Sequence, residues 1–134
     1  MNTGHSLHEI IYVSRLAPET PINTVVQIAK RSRVSNKPMQ ITGVLVFDGE
    51  RFCQYIEGDV KDITQLFERI SADTRHTDIQ MLHQGAIPER YFSQFSMGYA
   101  TVPEHDMIGK VADEHGIAAR TVFMGMSALV DFGP

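Results

Sequence analysis

The sequence has no tryptophan and a single cysteine, Cys53, among its 134 residues. One thiol excludes an internal disulfide and suits a reducing compartment, so a cytoplasmic setting is expected. Long apolar runs are missing too. No stretch reaches the roughly 20 residues that a membrane-spanning helix needs, and the N-terminus MNTGHSLHEI has no basic-then-apolar leader pattern. A membrane partner is therefore not expected. Positive charge is in deficit, with a formal net charge of −4 at pH 7, which argues against a body built to bind nucleic acid. Internal repeats, linkers and low-complexity segments are also lacking.

Catalytic motifs are equally scarce. The six histidines form no HExxH or comparable spacing, and His5 and His8 stand near the polar N-terminal residues 1–7 with no carboxylate or thiol beside them, so no metal is expected. Gly43, Gly49 and Gly58 match no phosphate-binding loop. Ser127, in Gly-Met-Ser-Ala-Leu, lacks the second glycine of a nucleophile elbow. Asp48, Glu50, Glu57 and Asp59 surround one hairpin and could pair for acid–base work, but turn acids are usually solvated. No enzyme activity is expected.

What is present is one domain, residues 1–134, with 43% apolar and 21% charged residues. It centres on Ile41–Gly58, ITGVLVFDGERFCQYIEG. Ile41, Gly43, Leu45 and Phe47 alternate with Thr42, Val44 and Val46, and almost every position is apolar, as in a strand covered on both faces. Asp48-Gly49 is a hairpin signal because glycine supplies the positive φ of a primed turn. The return strand, Arg51–Glu57, puts Phe52, Gln54 and Ile56 on one face and Cys53, Tyr55 and Glu57 on the other. Before it, His8–Leu16 is a strand with Ile10, Tyr12 and Ser14 on one side and Ile11 and Val13 on the other. Thr20-Pro21 reads as cap and first turn of a helix with the stripe Ile22, Val25, Val26 and Ala29. Asp59 caps a second helix from Val60 to about Ala72, with Val60, Ile63, Phe67 and Ile70 inward. Asp78–Gln84 and Phe95–Val102 are strands, the latter with Phe95, Met97 and Tyr99 on one face. A helical turn in Pro88–Gln94 joins them.

The resulting order is β-α-β-β-α-β-β, an α+β, ferredoxin-like sheet with an extra strand. Right-handed crossovers put both helices on one face of the sheet. The core spans about 8–102, and the extension of about 104–134, apolar at Ile108, Val111, Ala112, Val122, Phe123, Met126, Leu129 and Val130, supplies helices for the other face.

An unusual set of polar residues then points inward. Tyr12, Ser14, Gln54 and Met97 lie on strands, Asn36 ends the first helix, and Arg69 and Asp73 stand near the end of the second. Each has an ordinary structural reading. Tyr12 is a core ring with its hydroxyl tied off, Gln54 an amide tied to backbone, and Arg69–Asp73 an i, i+4 pair. Together they also suit a polar slot for a planar heterocycle.

Tyr12-Val-Ser14, Asn36 ahead of Ile41-Thr42-Gly43, Phe52-Cys-Gln54-Tyr-Ile-Glu57-Gly58, Asp73-Thr-Arg75-His76 and Phe92…Ser96-Met97 closely resemble the BLUF family, blue-light sensors that use a flavin. The resemblance implies FAD as cofactor, with FMN or riboflavin as substitutes. It implies that Tyr12 is the redox-active tyrosine and Gln54 the switching glutamine, with Ser14 and Met97 as accessory residues. Asn36, Arg69 and Asp73 would contact the flavin's polar edge, with Val25, Ile28 and Ile70 as apolar walls. Light would drive reversible electron and proton transfer from Tyr12 and rearrangement of Gln54. A stand-alone photosensory domain of this kind would signal to a downstream protein partner or through a homo-oligomer contact. Many members carry tryptophan two residues before the methionine, where this sequence has Phe95. The alternative from another class is a ferredoxin-like RNA-binding module stacking bases on Tyr12, Phe52 and Tyr55.

Overall fold

A strand with apolar residues on both faces is stable only when both faces are covered. A computed structural model, which describes residues 6–103 and 105–132, shows how this is done. The elements are β1 (Leu7–Leu16), α1 (Thr24–Asn36), β2 (Thr42–Phe47), β3 (Arg51–Asp59), α2 (Val60–Ser71), β4 (His76–Ala86), β5 (Gly98–Thr101), α3 (His105–Ala112) and α4 (Gly116–Ser127). They form a five-stranded sheet in the order β4-β1-β3-β2-β5. β1 and β3 are central and antiparallel, and β5 runs parallel to β2 at one edge. His5 and the polar residues before it, Glu104, and the last two residues of the tail lie outside the described residues.

Period-two alternation sorts the strands into two cores. Ile10, Leu45, Phe47, Phe52 and Ile56 pack with Val25 and Ala29 of α1 and Ile63 of α2. Ile11, Val13, Val44, Val46, Cys53 and Tyr55 pack with Ile108 and Val111 of α3 and with Ala119, Phe123 and Met126 of α4. The fold class is therefore the expected one, with α1 and α2 on one face and the tail helices on the other. Asp59 caps α2, its carboxylate accepting from Lys61 N at 3.0 Å. At the hairpin turn Gly49 takes positive φ (+97°), and the Asp48 carboxylate accepts from Glu50 N and Arg51 N.

Several local expectations need correction. α1 begins at Thr24 behind Asn23, not at Pro21; the Thr24 and Val25 amides close turns onto Pro21 and Ile22 instead. Ile22, ahead of the helix, and Val26, on its outer face, stay exposed, at 64% and 41%. Leu129 lies beyond α4 and is exposed as well. Residues 88–97 form turns rather than a helix, and β5 starts only at Gly98. Alternation therefore does not extend back to Phe95. Its ring packs in the tail-side core, 6.1 Å from Phe132, while Met97 and Tyr99 face the α1–α2 side.

The hairpin acids are not all solvated. Glu57 is fully buried, and its carboxylate accepts from Thr42 Oγ1 and from the amides of Tyr91 and Phe92 at 2.7, 2.8 and 2.9 Å. Three donors on one carboxylate compensate its burial and hold the turn segment that leads to Met97. Glu9, paired with Glu57 across β1–β3, accepts from the Tyr55 hydroxyl at 2.7 Å, His83 Nε2 at 2.8 Å and Arg120 Nε at 2.5 Å. Arg120 also lies over the Tyr91 ring. The tail face is thus fastened through α4 by a buried charged network as well as by apolar packing.

Candidate functional site

Tyr12 and Gln54 are register partners on β1 and β3, so their side chains rise side by side from the same face of the sheet. Both are buried, at 3% and 5% exposure. The Tyr12 hydroxyl donates a short hydrogen bond to Gln54 Oε1. The Gln54 amide nitrogen in turn donates to Met97 Sδ at 3.2 Å. One amide therefore presents its acceptor to the phenol and its donor to a thioether. Burial pushes the Tyr12 phenol well above its ordinary pKa, helped by the nearby Cys53 and Asp73, so it carries its proton throughout the accessible pH range.

Above this row, between α1 and α2, lies a cleft of about 280 Å³. Tyr12 and Gln54 are on its floor with Leu45 and Phe52, Ile28 and Asn36 come from α1, and Leu66, Arg69 and Ile70 from α2. Asp73, Arg75 and His76 close one end. Its volume lies just below that of most small-ligand sites, roughly 300–1,000 Å³. Apolar walls with a few convergent polar groups suit a flat heterocycle that exposes its polar edge to the floor. Asn36 is 2% exposed; its Nδ2 donates to Ser96 O at 2.9 Å, and its amide still has acceptor capacity for a ligand.

Tyr12, Gln54, Asn36, Arg69, Asp73, Ile28 and Ile70 are thus brought to one cleft, and Met97 touches it through Gln54. Val25 lies in the core and Ser14 beside the site; neither lines the cleft. Ser14 Oγ instead lies 3.0 Å from His76 Nδ1, and His76 Nε2 lies 2.6 Å from Ile70 O. A carbonyl only accepts, so Nε2 carries the proton and Nδ1 accepts from the serine hydroxyl in the neutral ring. His76 so ties β1 to the end of α2, a role that no local pattern announced, since Ser14 and Ile70 are distant from it or from each other in sequence. The clefts' other unforeseen residues, Arg31, Ser32 and Ser35, sit on a stretch that reads as solvated surface.

Asp73 pairs with Arg75 rather than Arg69. Arg75 donates from Nε at 2.9 Å and from its terminal nitrogen at 2.6 Å, and its amide also binds Oδ1. These guanidinium hydrogen bonds hold the Asp73 carboxyl below its ordinary pKa against the opposing effect of partial burial. Arg69 and Arg31 make no ion pair among the described residues. A depressed folded pKa contributes stability above the unfolded value, about 3.9, and loses it as pH falls through the folded value. Thermal midpoints measured from pH 6 down to pH 3 are expected to fall more steeply for the wild type than for Asp73→Asn. The difference at pH 6 corresponds to about 0.2–1 kcal/mol, as for other partly exposed pairs. Parallel curves would show that the pair contributes nothing.

Comparison with known proteins agrees with this geometry. The family model for BLUF, described as sensors of blue-light using FAD, matches residues 7–98. The chain is 28% identical over 91 residues to the blue light- and temperature-regulated antirepressor BluF of Escherichia coli, covering 68% of this chain and 23% of that protein. It is 30% identical over 98 residues to the photoactivated adenylate cyclase subunit alpha of Euglena gracilis, covering 71% of this chain and 10% of that one. It thus spans under a quarter of either curated relative. Among solved structures, the dark state of the BLUF protein BlrB superposes with a TM-score of 0.69 at 36% identity, covering 74% of this chain and 75% of BlrB. Klebsiella pneumoniae BlrP1 with FMN and cyclic diGMP gives a TM-score of 0.68 at 32% identity, covering 71% of this chain and 26% of that one. The match runs from β1 to the start of β5 and takes in every residue of the cleft, so the chain belongs to the BLUF family of flavin-binding blue-light sensors.

Proposed function

We propose that this chain is a reversible blue-light switch in which Tyr12 is the electron and proton donor and Gln54 the element that is rewired. The supporting observation is the continuous row Tyr12–Gln54–Met97 on the cleft floor, with a neutral phenol already aimed at the glutamine carbonyl. Asn36, Arg69 and Asp73 would hold the polar edge of the flavin, and Ile28 and Ile70 its ring. Val25 supports that wall from behind, and Ser14 steadies the end of the cleft through His76. FAD is the flavin proposed, with FMN or riboflavin able to take its place because all three share the ring system that the cleft residues would hold.

Bound there, a photoexcited flavin supplies a strong one-electron oxidant. Tyr12 is the group placed to give up an electron; its proton would pass along the hydrogen bond to Gln54 Oε1 and on to the group that took the electron, and both would return to the Tyr12 phenoxyl oxygen, leaving the amide neutral. The amide can then turn without any change of net charge, because it offers both a donor and an acceptor. Turning has a cost that the row itself sets. A thioether accepts a weak hydrogen bond but donates none, so a carbonyl turned towards Met97 Sδ loses its partner. Met97 therefore favours the resting orientation and helps the switch return in the dark.

The message would leave through the sheet. A downstream protein partner, or a second copy of the chain, would read a shift in β5 or in the α4 attachment at Arg120. The same chemistry suits a cytoplasmic setting, and no helix among the described residues is long and apolar enough to cross a membrane. The rings an RNA-binding module would need on its surface, Tyr12, Phe52 and Tyr55, are buried. The deciding experiment is a light-minus-dark visible difference spectrum of the purified protein. Yellow protein whose flavin band moves slightly to the red under blue light, and relaxes in darkness, is expected. A flavin-loaded protein with no reversible shift would overturn the reading.

A further inference from the structure

Met97 belongs to the photoactive row, yet it precedes β5 and has little of the sheet to hold it. The ladder between β2 and β5 begins only at Val44↔Gly98, and β5 is four residues long at the sheet edge. Upstream, the last backbone tie to β2 is Gly43 N to Phe95 O at 3.0 Å. The carbonyls of Ser96 and Met97 are taken by side chains of α1 instead. Asn36 Nδ2 donates to Ser96 O at 2.9 Å, and Arg33 Nε donates to Met97 O at 2.9 Å. Arg33 and Asn36 stand three residues apart, so they share one face of the helix. Two consecutive carbonyls are thus carried on adjacent positions of α1.

We propose that Arg33 is a positioning residue for the light switch: it fixes the main chain of Met97 so that the thioether stays against the Gln54 amide. The inference rests on the function proposed above for Gln54. Asn36 lies in the cleft, and its amide is shared with whatever the cleft holds, whereas Arg33 is not among the cleft residues and its Nε–H is committed to Met97. A charged donor makes a stronger hydrogen bond than a neutral one. Any displacement of Met97 that accompanies turning of Gln54 must stretch or break this bond, so Arg33 contributes to how quickly the resting arrangement is regained.

The test is a double-mutant cycle in the flavin-loaded protein, using Arg33→Gln, Met97→Leu and the pair, with Lys30→Gln as a control on the same helix. Arg33→Gln is expected to leave flavin binding and the presence of the red shift intact and to change the dark-recovery rate by about two- to tenfold. Lys30→Gln should not change it. In the Met97→Leu background the Arg33 substitution should lose its effect, because Arg33 acts through the position of that side chain. Recovery unchanged in Arg33→Gln, or changed equally with and without Met97, would overturn the inference while leaving the switch itself standing. Failure of the wild type to shift would instead sink the switch. In that case the methyl resonance of Met97 in methionine-labelled protein still decides the structural claim: it should move in Arg33→Gln and stay put in Lys30→Gln. An unmoved resonance would overturn it.

Discussion

Tyr12→Phe and Gln54→Leu proteins are expected to be yellow, folded and blind. Phenylalanine keeps the ring that packs edge-on against Phe67, with centroids 5.6 Å apart, and removes only the hydroxyl. It is also far harder to oxidise than a phenol and has no proton to pass to Gln54 Oε1. The reversible red shift should therefore vanish completely, while flavin affinity changes by the worth of at most one neutral hydrogen bond, about 1 kcal/mol. Leucine at position 54 has a similar volume but neither donor nor acceptor. It leaves the Tyr12 hydroxyl buried without its partner, which costs about 1–3 kcal/mol of stability, and it removes the group that turns. The two variants should also differ under illumination. Gln54→Leu retains the electron donor but has no acceptor for its proton, so any transient oxidation of Tyr12 there reverses without a lasting shift, whereas Tyr12→Phe has no donor at all. Absorption spectra before, during and after blue light check both. A normal, reversible shift in Tyr12→Phe would reject the role given to the phenol.

Most of the frame that positions these residues was readable in one dimension, because it depends on short-range periodicity. Strands with apolar residues on both faces have to be interior, and β1 and β2 each have a neighbouring strand on either side. The same alternation groups Tyr12 with Ile10 and Ser14 and Gln54 with Phe52 and Ile56; that the two groups share a face follows from the β1–β3 register. The errors arise where a neighbour distant in sequence decides. Thr20-Pro21 has the chemistry of a helix start, but the chain first makes turns through Pro21 and Ile22, so the helix begins later. Counting in twos puts Phe95 on the face of Met97, which fails because the residues before Gly98 are not in a strand. Asp73 found Arg75 two residues on rather than Arg69 four back, since α2 ends at Ser71 and the i, i+4 geometry ends with it.

The buried acids show a different kind of limit. Glu57 looked like a solvated turn residue, yet it is enclosed because a loop more than 30 positions away brings two amides to its carboxylate. Glu9 has no local mark at all; His83 and Arg120, which compensate it, come from β4 and α4. Both acids lie on the opposite face of β1 and β3 from Tyr12 and Gln54. The strands therefore carry the row proposed to respond to light on one face and the anchorage of α4 on the other, one residue apart at Gln54 and Tyr55. A shift of β3 of the kind that Gln54 could cause would be felt by both.

Gly43→Ala is expected to be the most damaging single methyl in the molecule. β2 lies so close to β3 here that a Cβ on Gly43 would stand 2.0 Å from the carbonyl oxygen of Tyr55 and 3.1 Å from Cα of Ile56. Both are backbone atoms of a central strand held by ladders on each side, so no rotamer change relieves the clash. The two strands must separate, and β5, which pairs only with β2, would be carried away with it. A loss of about 3–5 kcal/mol follows, comparable with the larger effects known for single substitutions. Domains of this size have about 5–15 kcal/mol in all, so the variant should be recovered unfolded, or with a thermal midpoint lower by at least about 10 °C and without colour. Two other glycines calibrate the result. At Gly49 a Cβ meets nothing within 4 Å, but φ is +97°, so alanine there should cost only the backbone strain, about 1–2 kcal/mol. At Gly125, inside α4, a Cβ also meets nothing, and alanine should stabilise by about 0.5–1 kcal/mol through helix propensity alone. Thermal melts of the three variants should therefore fall in the order Gly125→Ala, Gly49→Ala, Gly43→Ala, with the wild type between the first two. A Gly43→Ala protein that melts with the wild type would mean that β2 and β3 do not approach each other as described, and the register that places Leu45 beside Gln54 would fall with it.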